Sequence, residues 1–187
     1  SKEFVIEALR AAESDDEVRA LVLVIDTSAS MGAEDVSGTR LQAALAKASE
    51  VVGDPPSHVW FTGEPTTPEM AAFVNGMMLR YLDFNDTYMA REGGHPSDMI
   101  PAVLAVADPM IADGRTVVTA IALAYEVFCR LSDEVVAGDL GWDQGIFSVI
   151  GAACGAGKVM GLNHEQMGHA ISLAIAPSLP LAVTRSG

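Results

Sequence analysis

The sequence predicts an all-α domain. Three observations carry that reading: apolar residues recur at helical rather than alternating spacing, helix-start and helix-stop residues punctuate the chain, and small residues gather where two helices would have to approach closely. Taken in order, Val18, Leu21, Val22 and Ile25 fall at i, i+3, i+4 and i+7 and define one face of a first helix. Thr39 is read as the cap of a second helix running through Leu41, Leu45 and Val51. Gly53 to Thr67 holds Pro55, Pro56 and Pro65 and reads as a loop. Thr67-Pro68-Glu69 then supplies a cap and a proline at the first helical position. The helix it opens carries the stripe Met70, Val74, Met77, Met78 and Tyr81, with its methionines in the core.

Further along, Ser97 or Asp98 is expected to cap a helix through Ala107, with Pro101 tolerated in its first turn. Thr116 is read as the cap of a longer helix through Tyr125 and Leu131, ended by Ser132-Asp133. Gly145 to Met160 forms another, with Gly161 as its stop, and the small residues Gly151, Ala152, Gly155 and Gly157 imply close helix–helix contact. Asn163 with Gln166 spells a capping box for a last helix, broken at Pro177. Residues 1–187 thus read as a single all-helical domain of six or seven helices, without internal repeats.

Composition narrows the function. A formal net charge of −14, with lysine only at positions 2, 47 and 158, leaves no basic patch for nucleic-acid phosphates. Half of the residues are apolar and 19% charged, which suits a packed core rather than an acidic disordered tail. Cys129 and Cys154 are too few for a disulfide framework or a cysteine-ligated iron–sulfur cluster, and are expected as buried free thiols. No signal peptide or membrane-length apolar run appears, so the expected location is the cytoplasm.

The chemistry-bearing residues concentrate between two of the helices. Leu82-Asp83-Phe84-Asn85-Asp86-Thr87-Tyr88 is followed by Gly94-His95-Pro96-Ser97-Asp98, bringing carboxylates, hydroxyls, an amide and an imidazole into one short stretch. A histidine beside carboxylates can be held in one tautomer and kept titratable near neutrality, as a general acid or base requires. The helix start at Ser97-Asp98 offers free N–H groups for a substrate carboxylate. Ordinary turn chemistry accounts for Asn, Asp, Ser and Gly here equally well, and spacing alone leaves the two readings level.

The run 82–88, with His95-Pro96-Ser97-Asp98 and Ile100-Pro101-Ala102-Val103-Leu104-Ala105, resembles the signature of the MmgE/PrpD family. Ala71-Ala72-Phe73-Val74-Asn75-Gly76, Ala124-Tyr125-Glu126, Gly141-Trp142-Asp143 and Gly157-Lys158-Val159-Met160-Gly161-Leu162 match it too, so the resemblance spans nearly the whole chain. It implies the family's helical domain, and a lyase acting on a small polycarboxylate, as a 2-methylcitrate dehydratase does, by acid/base elimination of water. Decarboxylation or epimerisation on the same scaffold, or a non-catalytic assembly subunit, are the alternatives. By the same resemblance His95 is the acid/base residue, Asp83 orients or proton-couples it, and Thr87 hydrogen-bonds substrate. Asn85 and Asp86 of the same motif, Gln144 and Arg185 are read with Thr87 as substrate-binding, Asp86 with a structural role besides, and Arg185 precedes a lysine-containing stretch of the family.

Two departures from the family pattern stand out. Gln144 occupies the position after Gly141-Trp142-Asp143 where relatives often carry histidine, and an amide cannot transfer a proton at neutral pH. The resemblance also implies that the family's second, α/β domain lies beyond Gly187, so that a homodimer or a partner chain is expected to complete the site. No metal and no cofactor is expected. A polycarboxylate entering so acidic a protein needs local cationic help, which Arg80 and Arg91, flanking the motif, could give, but each is expected as a solvated surface arginine.

Other spellings carry less. Asp26-Thr27-Ser28-Ala29-Ser30 resembles the magnesium loop of von Willebrand factor A-type domains, but no later apolar strand ends in Thr-Asp-Gly, and the MmgE/PrpD resemblance takes Ile25-Asp26-Thr27 as a helix segment. His164 and His169 lie about 140° apart around a helix and do not form a zinc pair. Gly151 to Lys158 mimics a phosphate loop with the wrong glycine spacing. His58, among prolines, is expected at the surface.

Overall fold

The computed structural model describes residues 38–176 and 181; the predicted helix at Val18–Ile25, the Asp26–Ser30 spelling, the break at Pro177 and Arg185 lie outside these. The described chain forms six α-helices: α1 (Gly38–Ala48), α2 (Pro68–Arg80), α3 (Ile100–Ala107), α4 (Gly114–Glu134), α5 (Gly145–Val159) and α6 (His164–Ile175). Its only sheets, among the described residues, are two antiparallel ladders of two-residue strands. β1 (Ser57–His58) pairs with β2 (Pro65–Thr66), and β3 (Tyr88–Met89) with β4 (Gly93–Gly94). The predicted all-α class is the observed one.

Where a cap is local, the expected start is the observed start. Thr67 accepts the Met70 N–H ahead of Pro68, and Asn163 and Gln166 bond reciprocally as a capping box. Gly161 sits at φ 70° just past α5, a left-handed position that glycine takes without strain. Other boundaries move. Asp113, not Thr116, caps α4, accepting the Arg115 and Thr116 N–H groups at 2.8 and 3.0 Å. Thr116 turns its own hydroxyl back to the Asp113 carboxylate. Thr39 lies inside α1, which ends at Ala48 short of Val51. Ahead of α3, residues Pro96–Met99 wind as a 3₁₀ turn in which neither Ser97 nor Asp98 caps.

Helix α5 is the hub, packed against α3, α4 and α6. Its glycines permit the approach. A methyl group added at Gly151 would lie 2.3 Å from the Met99 sulfur and 2.9 Å from the Ala124 carbonyl oxygen; one at Gly155 would meet Val103 at 2.8 Å and the Ala120 oxygen at 3.0 Å. Around this seam Ala102, Val103, Ala120, Ala124, Phe128, Ala152 and Ala156 are buried, and Phe128 meets Phe147 edge to face at 5.9 Å. A second apolar cluster joins α1 to α2 through Ala44, Ala48, Val59, Val74 and Met77.

The proline-rich loop is tied down by buried polar side chains. Ser57 donates to the Ala105 carbonyl and Thr66 to that of Ala48, each at 2.6 Å. Asn75, on α2 and fully buried, accepts the Trp60 N–H at 2.8 Å and donates to the His58 carbonyl at 3.1 Å. Desolvated side chains of this kind are tolerable only when bonded, so they fix the loop. His58 is exposed as expected, yet it is anchored: Asp108 accepts both its Nδ1–H and its main-chain N–H at 2.8 Å.

Candidate active site

The motif leaves α2 through Asp83, whose φ of 50° turns the chain and whose N–H closes on the Arg80 carbonyl at 3.0 Å. Aspartate tolerates this left-handed conformation better than most residues. The hairpin β3–β4 comes next and is held to the C-terminal half of α4. Tyr88 donates to Asp133 at 2.9 Å, the Ser132 hydroxyl donates to the Glu92 carbonyl, and Glu92 accepts the Gly138 N–H at 3.2 Å. Gly94 lies against the core: a methyl there would fall 2.6 Å from the Phe128 ring and 3.5 Å from the Gln144 amide oxygen. The residue before His95 is therefore pressed onto the core, with Gln144 alongside.

Asp86 organises the groups around the imidazole. Its main-chain carbonyl lies 2.7 Å from His95 Nδ1. A carbonyl can only accept, so Nδ1 carries the proton and the neutral imidazole presents an unprotonated Nε2. The Asp86 carboxylate accepts the Ser97 N–H at 3.1 Å through one oxygen and the Tyr125 hydroxyl at 2.9 Å through the other. Asn85 donates to the Ser97 hydroxyl at 3.0 Å. The N–H at the 3₁₀ start, expected to receive a substrate carboxylate, is thus already taken by the protein's own carboxylate.

Asp83 contacts Arg80, at 2.7 Å, and it is the Asp86 carbonyl that holds His95. Arg80 is not the solvated arginine expected: its side chain is 17% exposed, and it reaches Asp98 as well, at 3.7 Å. Arg91 is exposed as expected. Asp98, rather than capping, is largely buried, and desolvation raises its carboxyl to about 6 against the opposing pull of Arg80 and His95. Asp86 and Asp83 add to the rise, so Arg80, Asp83, Asp86, His95 and Asp98 form one electrostatic group. Tyr125 joins it: burial first, then the bond to Asp86, hold its phenol above the ordinary range, where it remains a donor. Thr87 is exposed.

Sequence reading missed Arg80 and Tyr125 as members of this group. Arg80 was legible in principle, one helical turn from Asp83. Tyr125 was not, because it reaches Asp86 from a separate helix. Tyr125 also lines a shallow groove of about 400 Å³ along α4 with Val118, Ile121, Ala122, Glu126 and Cys129. Both cysteines are free; Cys154 is buried and Cys129 only half-buried. Among the described residues no cluster of potential ligands could hold a metal ion, and no helix is long and apolar enough to cross a membrane.

This helical scaffold with its motif-borne histidine defines the class, and comparison with known proteins gives the family. Residues 3–187 match the MmgE/PrpD N-terminal domain, and the chain belongs to that family. It is 35% identical over 117 residues to the 2-methylcitrate dehydratase of Escherichia coli (strain K12), a stretch covering 57% of this chain and 24% of that protein. It is likewise 35% identical over 117 residues to the 2-methylcitrate dehydratase of Cupriavidus necator, with the same coverage of 57% and 24%. The mitochondrial 2-methylcitrate dehydratase of Yarrowia lipolytica is 31% identical over 129 residues, 63% of this chain and 25% of its own length. The chain thus matches about a quarter of the length of these curated relatives.

Proposed function

We propose that this chain is the helical part of a lyase that removes water from a small polycarboxylate of the 2-methylcitrate kind. One observation carries the reading: His95 is fixed by Nδ1 to a main-chain carbonyl, so its Nε2 is the free base of the site. Elimination of water requires taking a proton from the carbon next to a carboxylate and giving one to the departing hydroxyl. Nε2 takes the first proton. The imidazolium so formed is stabilised by the Asp86 carbonyl at Nδ1 and by the neighbouring Asp98, and it is a donor for the hydroxyl, which leaves as water. Thr87, exposed within the motif, is assigned to hydrogen-bond substrate, and Gln144, next to Gly94, to orient it without moving a proton. Asp83 acts through Arg80, balancing its charge, while Asn85 and Asp86 hold the Ser97 turn that carries His95.

Arg80 is shared with Asp83 and Asp98 but keeps its Nη1 buried and unpartnered, so its guanidinium is one cation available to a polycarboxylate, and the remaining cations come from elsewhere in the assembled enzyme. Arg185 is assigned to that group. No cofactor enters this chemistry. The test is turnover by the full-length protein of 2-methylcitrate, cis-aconitate and iminodisuccinate, which separates dehydration from decarboxylation and epimerisation. His95→Gln is expected to lower kcat on the accepted substrate at least about 100-fold with an unchanged circular dichroism spectrum. Full activity in that variant removes the assignment.

A further inference from the structure

We infer that Tyr125 is a positioning residue which, through Asp86, locks the His95 imidazole into the Nδ1–H tautomer and aims Nε2; this rests on His95 being the base. Asp86 is the one residue touching both partners: its carbonyl holds the imidazole and its carboxylate is held in turn by Tyr125 and by the Ser97 N–H. Beside it Asn85 bonds the Ser97 hydroxyl, while Asp83, Phe84 and Thr87 are exposed on either side. Tyr125 comes from α4, whose neighbouring residues Ala124 and Phe128 are buried in the core, so its hydroxyl is a fixed point. The ladder β3–β4 holds the hairpin from the other end through Tyr88, but those bonds act at Asp133, beyond the imidazole. Removing the Tyr125 hydroxyl frees one carboxylate oxygen of Asp86 to turn toward water, and the carbonyl of the same residue turns with it. A second-helix hydroxyl thereby decides which imidazole nitrogen is basic.

The test is nitrogen NMR of the full-length protein labelled with ¹⁵N-histidine, at about pH 8, where an unperturbed imidazole is neutral. The His95 signal is assigned by its loss in His95→Gln. Wild type is expected to show a single tautomer protonated at Nδ1, and Tyr125→Phe a mixture in which at least about a fifth is protonated at Nε2. Asp86→Ala is expected to show the same mixture, since it removes the carboxylate through which Tyr125 holds the carbonyl in place. A Tyr125→Phe spectrum identical to wild type overturns the inference, as does a wild-type imidazole protonated at Nε2. Neither readout needs substrate, so it stands apart from the proposed reaction. If 2-methylcitrate is turned over, Tyr125→Phe should lower kcat about tenfold with KM changed less than twofold, whereas a loss confined to KM points to substrate contact and overturns the positioning role.

Discussion

Asp98 holds its proton to about pH 6 because burial opposes its charge more strongly than Arg80 and His95 favour it, with Asp86 and Asp83 facing it from the same group. The folded pKa lies above the unfolded value of 3.8, so the fold binds this proton more tightly than the unfolded chain does. The contribution to stability is therefore full below pH 3.8 and is lost as pH rises through about 6. Urea unfolding should show this as a difference between wild type and Asp98→Asn. The variant gains on wild type by up to about 2 kcal/mol between about pH 4 and pH 7, because an amide has no charge to desolvate. A difference that stays flat over that interval contradicts the burial. Motif residues were readable one at a time, but their partners were not. Asp83 was expected beside His95 and pairs with Arg80, since its left-handed turn points it back along α2.

Helix seams are decided by what a Cβ would strike. At Gly151 an added methyl meets a buried methionine sulfur and a main-chain oxygen, and the oxygen cannot yield without moving α4. Gly151→Ala is expected to destabilise by about 1–3 kcal/mol in thermal or urea unfolding. Gly168, in α6, has nothing within 4 Å of the same added methyl. There Gly→Ala is expected to stabilise by about 0.5–1 kcal/mol, because only the helical backbone preference remains. If both substitutions act alike, close packing of α5 is not what its glycines serve. The Ala and Gly content of α5 announced that seam, whereas the start of α4 was misplaced because Thr116 and Asp113 are both good cap residues. Asp113 prevails by accepting two N–H groups.

On the scale of the molecule, the motif carries several hydrophobic residues that remain uncovered. Leu82 is 78% exposed, Phe84 95% and Met89 77%. A patch of this kind beside a candidate active site fits a surface that another domain or chain covers. The chain is therefore expected to associate: gel filtration should find species larger than a monomer, and Leu82→Ser with Phe84→Ser should shift them toward one. A monomeric wild-type chain refutes this. The patch escaped the sequence reading, which assigned hydrophobic residues to helix stripes and passed over those on a loop.

The sequence alone determined the helical class, the starts of α2 and α5, the capping box at Asn163 and the glycine seam. Each of these rests on residues within a turn or two of one another, where spacing fixes neighbours. Only the tertiary structure decided that Arg80 is half-buried between two carboxylates, that Asp86 supplies the carbonyl for His95, and that Tyr125 reaches Asp86 across 39 residues of chain. Such pairings depend on how the segment after α2 is laid against α4 and on which way a left-handed turn throws the chain. Local spacing contains neither.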